Sequence, residues 1–210
     1  MMPLVVTFYT NELYSHLASR LAQSCAEYGF EIDVSERPDL GSWVLNCGQK
    51  PLHILTRLEL HDRDLLWVDA DAQFVSEAWG LDLDCDLGFF LSPGDRYMSG
   101  TLLVRNTEPM RAMLEEWVEQ QNQFPDVHDE DGMRAVIKRG HNLKTAQLDP
   151  GYLYVFDVWE KLFPRCKPII MHKQASRLYL NPRAVQRFRP TRGIRTDIHP
   201  EVRSLNELCS

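Results

Sequence analysis

The chain has 210 residues, of which 44% are hydrophobic and 25% are charged. These proportions are typical of a globular protein, and they exclude a collagen-like, a low-complexity or a largely disordered chain. No apolar run approaches the ~20 residues that span a bilayer, and the first residues lack a basic leader. We therefore expect a cytoplasmic protein whose residues 1–210 form a single domain. The five cysteines never form a CxxC pair, so we expect reduced thiols rather than a zinc site or a disulfide framework.

The net charge of −7 is unevenly distributed along the chain. The segment from Lys173 to Arg203 holds eight Lys or Arg and two acidic residues, whereas residues 1–172 carry a net charge of −12. A basic C-terminal segment 173–203 on an acidic body favours an anionic ligand, either a pyrophosphate or a polyanionic acceptor. A solvated tail that packs on the acidic body is the alternative.

The first 35 residues predict a β-α-β unit. Residues 3–9 are an apolar, strand-like run, and Asn11 is placed to cap a helix whose apolar stripe runs from Leu13 to Tyr28. Gly29 ends that helix, and residues 31–35 resume the alternation of a strand. Two strands joined by a helix favour a parallel sheet.

The rest of the chain continues to alternate between helical and strand patterns. After a loop that contains Gly41, Trp43 and Gly48, the sequence predicts helices at 51–60, 108–121 and 131–139, and strands at 65–68, 87–91, 98–104, 151–156 and 168–171. This order predicts an α/β domain with a mostly parallel nucleotide-binding sheet flanked by helices.

Aspartate pairs of the form D-x-D occur at five places, although the 16 aspartates make about one expected by composition alone. Asp69 and Asp71 differ from most of the others because they end the apolar strand at 65–68. Ligands of open α/β sheets bind at the carboxyl ends of strands. Two carboxylates two residues apart at a strand end can share one divalent cation, and oxygen ligands together with a diphosphate suit Mn²⁺ or Mg²⁺. We therefore predict a metal site at Asp69 and Asp71.

The segment 66–74 resembles the DxD segment of GT-A glycosyltransferases, the nucleotide-diphospho-sugar transferases. Further matches follow in the family's order over roughly residues 4–177. The opening strand resembles the family's first strand, whose end cradles the nucleoside, and residues 98–102 resemble the serine-glycine turn that borders the donor sugar and the acceptor. Lys173 and Arg177 would stabilise the charge of a leaving diphosphate, although a surface position would need no such role. The resemblance implies nucleotide-sugar contacts at Thr7, Tyr9, Thr10, Lys50, Asp69, Ser99, Gly100, Lys173 and Arg177.

The resemblance also implies a third metal ligand and a catalytic carboxylate. Residues 169–172 resemble a late strand whose terminal histidine completes the metal shell, which assigns His172 to the metal. Trp117 followed by Asp129 resembles a helix tryptophan that precedes an Asp-Gln pair beside the transferred sugar, with Glu130 in place of the glutamine. We expect Asp129 or Asp131 to be the catalytic group, as a base or as a hydrogen-bond partner of sugar hydroxyls. The alternative is that both simply complement the dipole of a helix N-terminus.

These observations predict a divalent-metal-dependent glycosyltransferase that moves a sugar from a nucleoside diphosphate sugar to an acceptor hydroxyl. A polyanion such as modified DNA is a candidate acceptor, and no membrane span is expected. Two alternatives stay open from the residues themselves. Paired aspartates and a metal also serve a nucleotidyltransferase or a metal phosphoesterase. The basic segment would equally suit a non-catalytic carbohydrate- or nucleic-acid-binding module.

Overall fold

The computed structural model describes residues 2–140, 142–155, 159, 161–163 and 165–175. The strands are β1 (Leu4–Tyr9), β2 (Ile32–Glu36), β3 (Leu65–Val68), β4 (Ala72–Phe74), β5 (Leu87–Ser92), β6 (Arg96–Val104), β7 (Thr145–Gln147), β8 (Tyr154–Val155) and β9 (Ile170–His172). The helices are α1 (Glu12–Glu27), α2 (Trp43–Gly48), α3 (Lys50–His61), α4 (Glu108–Gln123), α5 (Asp129–Arg139) and a short 3-10 helix, Pro150–Leu153.

The main sheet has six strands in the order β2-β1-β3-β6-β5-β7. Five of these strands run in the same direction, and β6 is antiparallel to both of its neighbours. The prediction of an α/β domain with a mostly parallel sheet is therefore confirmed. The β-α-β unit of the first 35 residues is confirmed as well, because β1 pairs with β2 in parallel.

A second sheet of three short strands carries the late part of the chain. Its order is β4-β9-β8, and β9 pairs antiparallel with β4, so that Ala72 lies opposite His172. Because β4 begins directly after the turn that follows β3, this pairing places His172 beside the turn that contains Asp69 and Asp71.

Apolar side chains fill both faces of the main sheet. On one face, residues of β1, β3 and β6 pack against α3, α4 and α5, with Trp117 of α4 fully buried. On the other face, Val5, Leu66 and Leu103 pack against α1 and the small sheet. This alternation along each strand buries both faces, as expected for a sheet covered on both sides. Among the described residues, no helix has both the length and the apolar character needed to cross a membrane.

Side-chain caps fix several helix starts. Asn11 caps α1 as predicted, because its Oδ1 accepts a hydrogen bond of 3.1 Å from the backbone N–H of Tyr14. The fifth helix begins two residues earlier than predicted, with His128 as its cap and Asp129, Glu130 and Asp131 in its first turn.

Two local predictions are wrong. The predicted loop around Trp43 contains the helix α2, which Ser42 caps and none of whose six residues is buried. A helix that short, without a buried stripe, leaves no apolar periodicity to detect. The predicted strand at 151–156 begins instead as the 3-10 helix, because Asp149 caps Gly151 and Pro150 favours a helical start. The strands β4 and β7 were not predicted, since three residues carry too little pattern.

Replacing Gly151 by alanine should destabilise the fold by about 1–3 kcal/mol, because the new Cβ would collide with the backbone carbonyl oxygen of Lys167, which cannot rotate away. Urea unfolding measures the change. Gly48→Ala is the matched control, since its Cβ would lie 3.3 Å from Nε2 of Gln121, the end of a flexible side chain. Equal losses in the two variants would contradict the packing argument.

Candidate active site

A cavity of about 360 Å³ opens at the carboxyl ends of β1 and β3. This is the edge at which open α/β sheets bind their ligands, and the volume suits a small organic molecule. The first half of β6, the helix α2 and the N-terminus of α5 complete its walls. The lining residues are Phe8, Tyr9, Thr10, Tyr14, Trp43, Asn46, Cys47, Lys50, Trp67, Asp69, Ala70, Asp71, Arg96, Met98, Ser99, His128, Asp129, Glu130 and Gln174.

The three predicted metal ligands lie together at one side of this cavity. Asp69, Asp71 and His172 each offer one ligand atom, and these atoms all lie within 4.8 Å of one another. Gly100 makes the approach possible, because a Cβ at that position would lie 3.1 Å from Cε1 of His172 and 3.3 Å from Oδ2 of Asp69. Two carboxylates and an imidazole at these separations can bind one divalent cation.

The protonation states of this cluster suit a cation. Burial, together with the negative charge of the neighbouring Asp69 carboxylate, raises the pKa of Asp71 to about 6. Burial also lowers the pKa of His172 to about 4, so that its imidazole is neutral at pH 7, as a metal ligand must be. Thr101 fixes the histidine ring, because its Oγ1 lies 2.9 Å from Nε2.

Lys50 is the centre of a buried polar network that links the carboxylates of Asp69 and Asp129. Its Nζ lies 3.2 Å from Oδ1 of Asp69 and 2.6 Å from Oδ2 of Asp129, and it donates to Oγ of Ser99 at 2.8 Å. Burial alone would lower the pKa of Lys50, but the negative charges of Asp129 and Asp69 outweigh burial and raise it. Burial would raise the pKa of Asp129, yet the ammonium of Lys50 holds it below its usual value. Both groups are therefore charged at neutral pH.

The three acidic residues at the start of α5 have different environments. Asp129 is 1% exposed and is bound to Lys50 and Ser99. Glu130 lines the cavity, and its Oε1 accepts a hydrogen bond of 3.3 Å from the backbone N–H of Ser99. Burial and the charge of Asp129 raise the pKa of Glu130. Asp131 is exposed and lies outside the set of residues that line the cavity. The structure thus brings Asp129 to the site and does not bring Asp131.

The residues predicted to contact a nucleotide sugar fall into three groups. Tyr9, Thr10, Lys50, Asp69 and Ser99 line the cavity, and Gly100 lies next to the predicted metal ligands His172 and Asp69. Thr7 and Lys173 are buried outside the cavity lining: Thr7 has no partner for its Oγ1 among the described residues, and the backbone N–H of Lys173 donates to the carbonyl oxygen of Asp71.

The third group lies beyond the described part of the chain. It contains Arg177 and the other residues of the basic segment after position 175. An anionic ligand for that segment therefore stays a prediction.

Several cavity residues were missed by sequence reasoning. Asn46 and Cys47 belong to α2, a segment for which the sequence predicts a loop. Arg96 is the first residue of β6 and precedes the predicted strand by two residues. His128 carried one usable signal, since it directly precedes three acidic residues at a predicted helix start.

Comparisons with known proteins identify the family of the chain. Residues 56–177 match the family model for nucleotide-diphospho-sugar transferases, and the matched segment includes Asp69, Asp71 and His172. No curated protein matches the chain.

Solved structures share the fold. A glycosyltransferase involved in the glycosylation of the major capsid of PBCV-1 is 10% identical, with a TM-score of 0.68 and coverage of 89% of this chain and 99% of that chain. The glycosyltransferase GlyE of Streptococcus pneumoniae TIGR4 is 13% identical, with a TM-score of 0.57. The alignment with GlyE covers 81% of this chain and 55% of GlyE, so this chain spans about half the length of that protein.

At these identities the structural likeness establishes the fold, and the family model establishes the relationship. Because that model covers more than half of the sequence, the chain belongs to the nucleotide-diphospho-sugar transferase family and is a glycosyltransferase.

Proposed function

We propose that this glycosyltransferase uses a divalent cation, held by Asp69, Asp71 and His172, to transfer a sugar from a nucleoside diphosphate sugar to an acceptor hydroxyl. The observation that carries the proposal is the convergence of these three ligand groups at the wall of a cavity. The family implies a nucleotide-sugar donor. Family membership also favours sugar transfer over the nucleotidyl transfer and phosphoester hydrolysis that paired aspartates alone would allow.

The donor set fits a metal ion in two respects. When Asp69 and Asp71 are both charged, their carboxylates repel each other, and a bound cation reduces that repulsion. The imidazole of His172 favours a first-row transition ion such as Mn²⁺ over Mg²⁺, which prefers shells made of oxygen. When bound, the ion would neutralise the negative charge of the departing nucleoside diphosphate.

The chain's own residues divide the cavity into two sides. Phe8 and Tyr9 at the end of β1 and Tyr14 in the first turn of α1 contribute aromatic rings to the cavity wall, where we place the nucleoside. Trp43, Met98 and Glu130 line the side formed by α2, β6 and α5, where we place the transferred sugar and the acceptor. We place the diphosphate, which joins the nucleoside to the sugar, at the proposed metal ligands.

We assign the role of general base to Glu130, in place of the Asp129 or Asp131 expected from the sequence. Asp129 is 1% exposed and its Oδ2 is bound by both Lys50 and Ser99, whereas Glu130 is 19% exposed and its Oε2 lies 3.7 Å from the guanidinium of Arg96. As the acceptor oxygen bonds to the sugar carbon and the sugar–diphosphate bond breaks, the carboxylate of Glu130 takes up the proton of the acceptor hydroxyl. Its raised pKa strengthens it as a base.

The acceptor itself stays open. The suggestion of a polyanion such as modified DNA rests on the basic segment, most of which lies outside the described residues. The cytoplasmic location and the single domain over residues 1–210 also stay predictions.

Asp71→Asn should stabilise the metal-free protein at pH 8 by on the order of 2 kcal/mol, because it removes a buried carboxylate that is charged against Asp69. The amide oxygen can still accept the 2.7 Å hydrogen bond from the backbone N–H of Ala175. The folded-state pKa of about 6 lies above the unfolded value of 3.8, so the wild type regains this stability as the pH falls through 6, and the two proteins converge near pH 4.

Thermal unfolding in EDTA across pH 4–8 measures this difference. Repeating it with Mn²⁺ and a panel of nucleoside diphosphates tests the proposed function, since the wild type should gain stability with one of them and Asp71→Asn should not. If no nucleoside diphosphate stabilises the wild type in the presence of Mn²⁺, the proposed function is wrong.

Glu130→Gln should lower kcat by about 10²–10⁴-fold, because the amide cannot take up a proton, while binding of the donor changes little. Transfer to any acceptor found in a screen, or hydrolysis of the donor, provides the assay. Asp131→Asn is the matched variant, on the exposed side of the same helical turn, and should keep its kcat. Loss of activity in Asp131→Asn with retention in Glu130→Gln would reverse the assignment.

A further inference from the structure

Lys50 has more hydrogen-bond acceptors around it than it has protons to donate. Its Nζ lies within 3.3 Å of four oxygens: Oδ1 of Asp69, Oδ2 of Asp129, and Oγ and the backbone oxygen of Ser99. An ammonium carries three N–H donors. The side chain is 4% exposed, and the ring of Trp67 lies beside the Nζ, with its centroid 5.4 Å away. No N–H of Lys50 is therefore left over for a phosphate group of the donor.

The contacts of Lys50 orient the carboxylate of Asp69. Oδ1 of Asp69 lies beside Nζ of Lys50 and accepts a 3.0 Å hydrogen bond from Nε1 of Trp67. The other oxygen, Oδ2, is the one that a Cβ on Gly100 would meet, close to the ring of His172. One oxygen is thus held by protein donors, and the opposite oxygen is presented to the metal ligands.

The same ammonium anchors the first turn of α5. Asp129 is fixed through Oδ2 by Lys50 and Ser99, and its Oδ1 lies 3.2 Å from Nδ1 of His128. Glu130 follows Asp129 directly and reaches into the cavity. Any shift of Asp129 would therefore move Glu130, so Lys50 couples the position of a metal ligand to the position of the carboxylate on the sugar side.

We infer that Lys50 is a positioning residue, whose buried ammonium sets the orientation of Asp69 toward the cation and of the α5 N-terminus toward the sugar, and that it makes no contact with the donor diphosphate. This inference rests on the proposed function for the identity of the metal and the donor. It changes the expectation from the sequence, in which Lys50 contacts the nucleotide sugar.

The test compares Lys50→Met/Asp129→Asn with Asp129→Asn alone. The double variant removes one positive and one negative charge, so it keeps the formal charge of the wild type and leaves no buried carboxylate at position 129 without its cation. Asp129→Asn retains the contact between Lys50 and Asp69, so the pair of variants isolates the contribution of Lys50.

Three quantities should respond differently. Relative to Asp129→Asn, the double variant should bind Mn²⁺ about 10–100-fold more weakly, because Asp69 loses the partner that orients it. Its kcat should fall by about 10²-fold through misplacement of the reacting groups. The Kd of the nucleoside diphosphate measured in EDTA should stay the same. Calorimetry and ligand-observed NMR give the binding constants.

Two results would overturn the inference. A rise of roughly 10- to 150-fold in the metal-free Kd of the nucleoside diphosphate would show that Lys50 contacts the phosphates. An unchanged Mn²⁺ affinity would show that Asp69 does not depend on Lys50. Arg105→Met, which breaks a half-buried pair with Asp64 outside the cavity lining, controls for general loss of stability and should leave all three quantities unchanged. Failure of the proposed function is distinguishable, because the wild type itself would then show no Mn²⁺-dependent nucleotide binding.

Discussion

The antiparallel pairing of β6 with β3 is the constraint on which the site depends. It brings three consecutive residues of β6 next to the end of β3, where each holds a different part of the site. Ser99 binds Lys50 and Asp129. The carbonyl oxygen of Gly100 accepts the backbone N–H of Asp69 at 2.9 Å, and Thr101 holds the ring of His172. The rest of the site is assembled around this short stretch of backbone.

The direction and the length of β6 explain why the cavity lies where it does. Because β6 runs against β3, its first residues lie at the carboxyl end of β3. It has nine residues and β3 has four, so Arg96 and Met98 extend past the end of β3 and become part of the cavity wall. A parallel strand at this position would place its carboxyl end there instead and would begin at the opposite edge of the sheet.

The sequence predicts those parts of the structure that depend on local patterns of apolar and capping residues. The apolar run of β3 and the cap at Asn11 predicted a strand and a helix start that the structure confirms. Asp69 and Asp71 could be singled out because they follow a strand, and ligands of open α/β sheets bind at the carboxyl ends of strands. The carboxylates of α5 could not be sorted in this way. Which of three successive acidic residues faces the cavity depends on the orientation of the helix, which Lys50 and Ser99 fix from distant positions in the sequence.

The proposed metal ligands come from segments that are far apart in the sequence. Oδ2 of Asp71 bonds to a residue 104 positions later, and Thr101 bonds to His172 across 71 positions. Closing such loops has an entropic cost that local structure cannot offset, so the ligand cluster exists only after β9 has joined β4. A cation that binds there would bind the complete fold and not a partly folded chain, so its free concentration would shift the equilibrium between folded and unfolded protein.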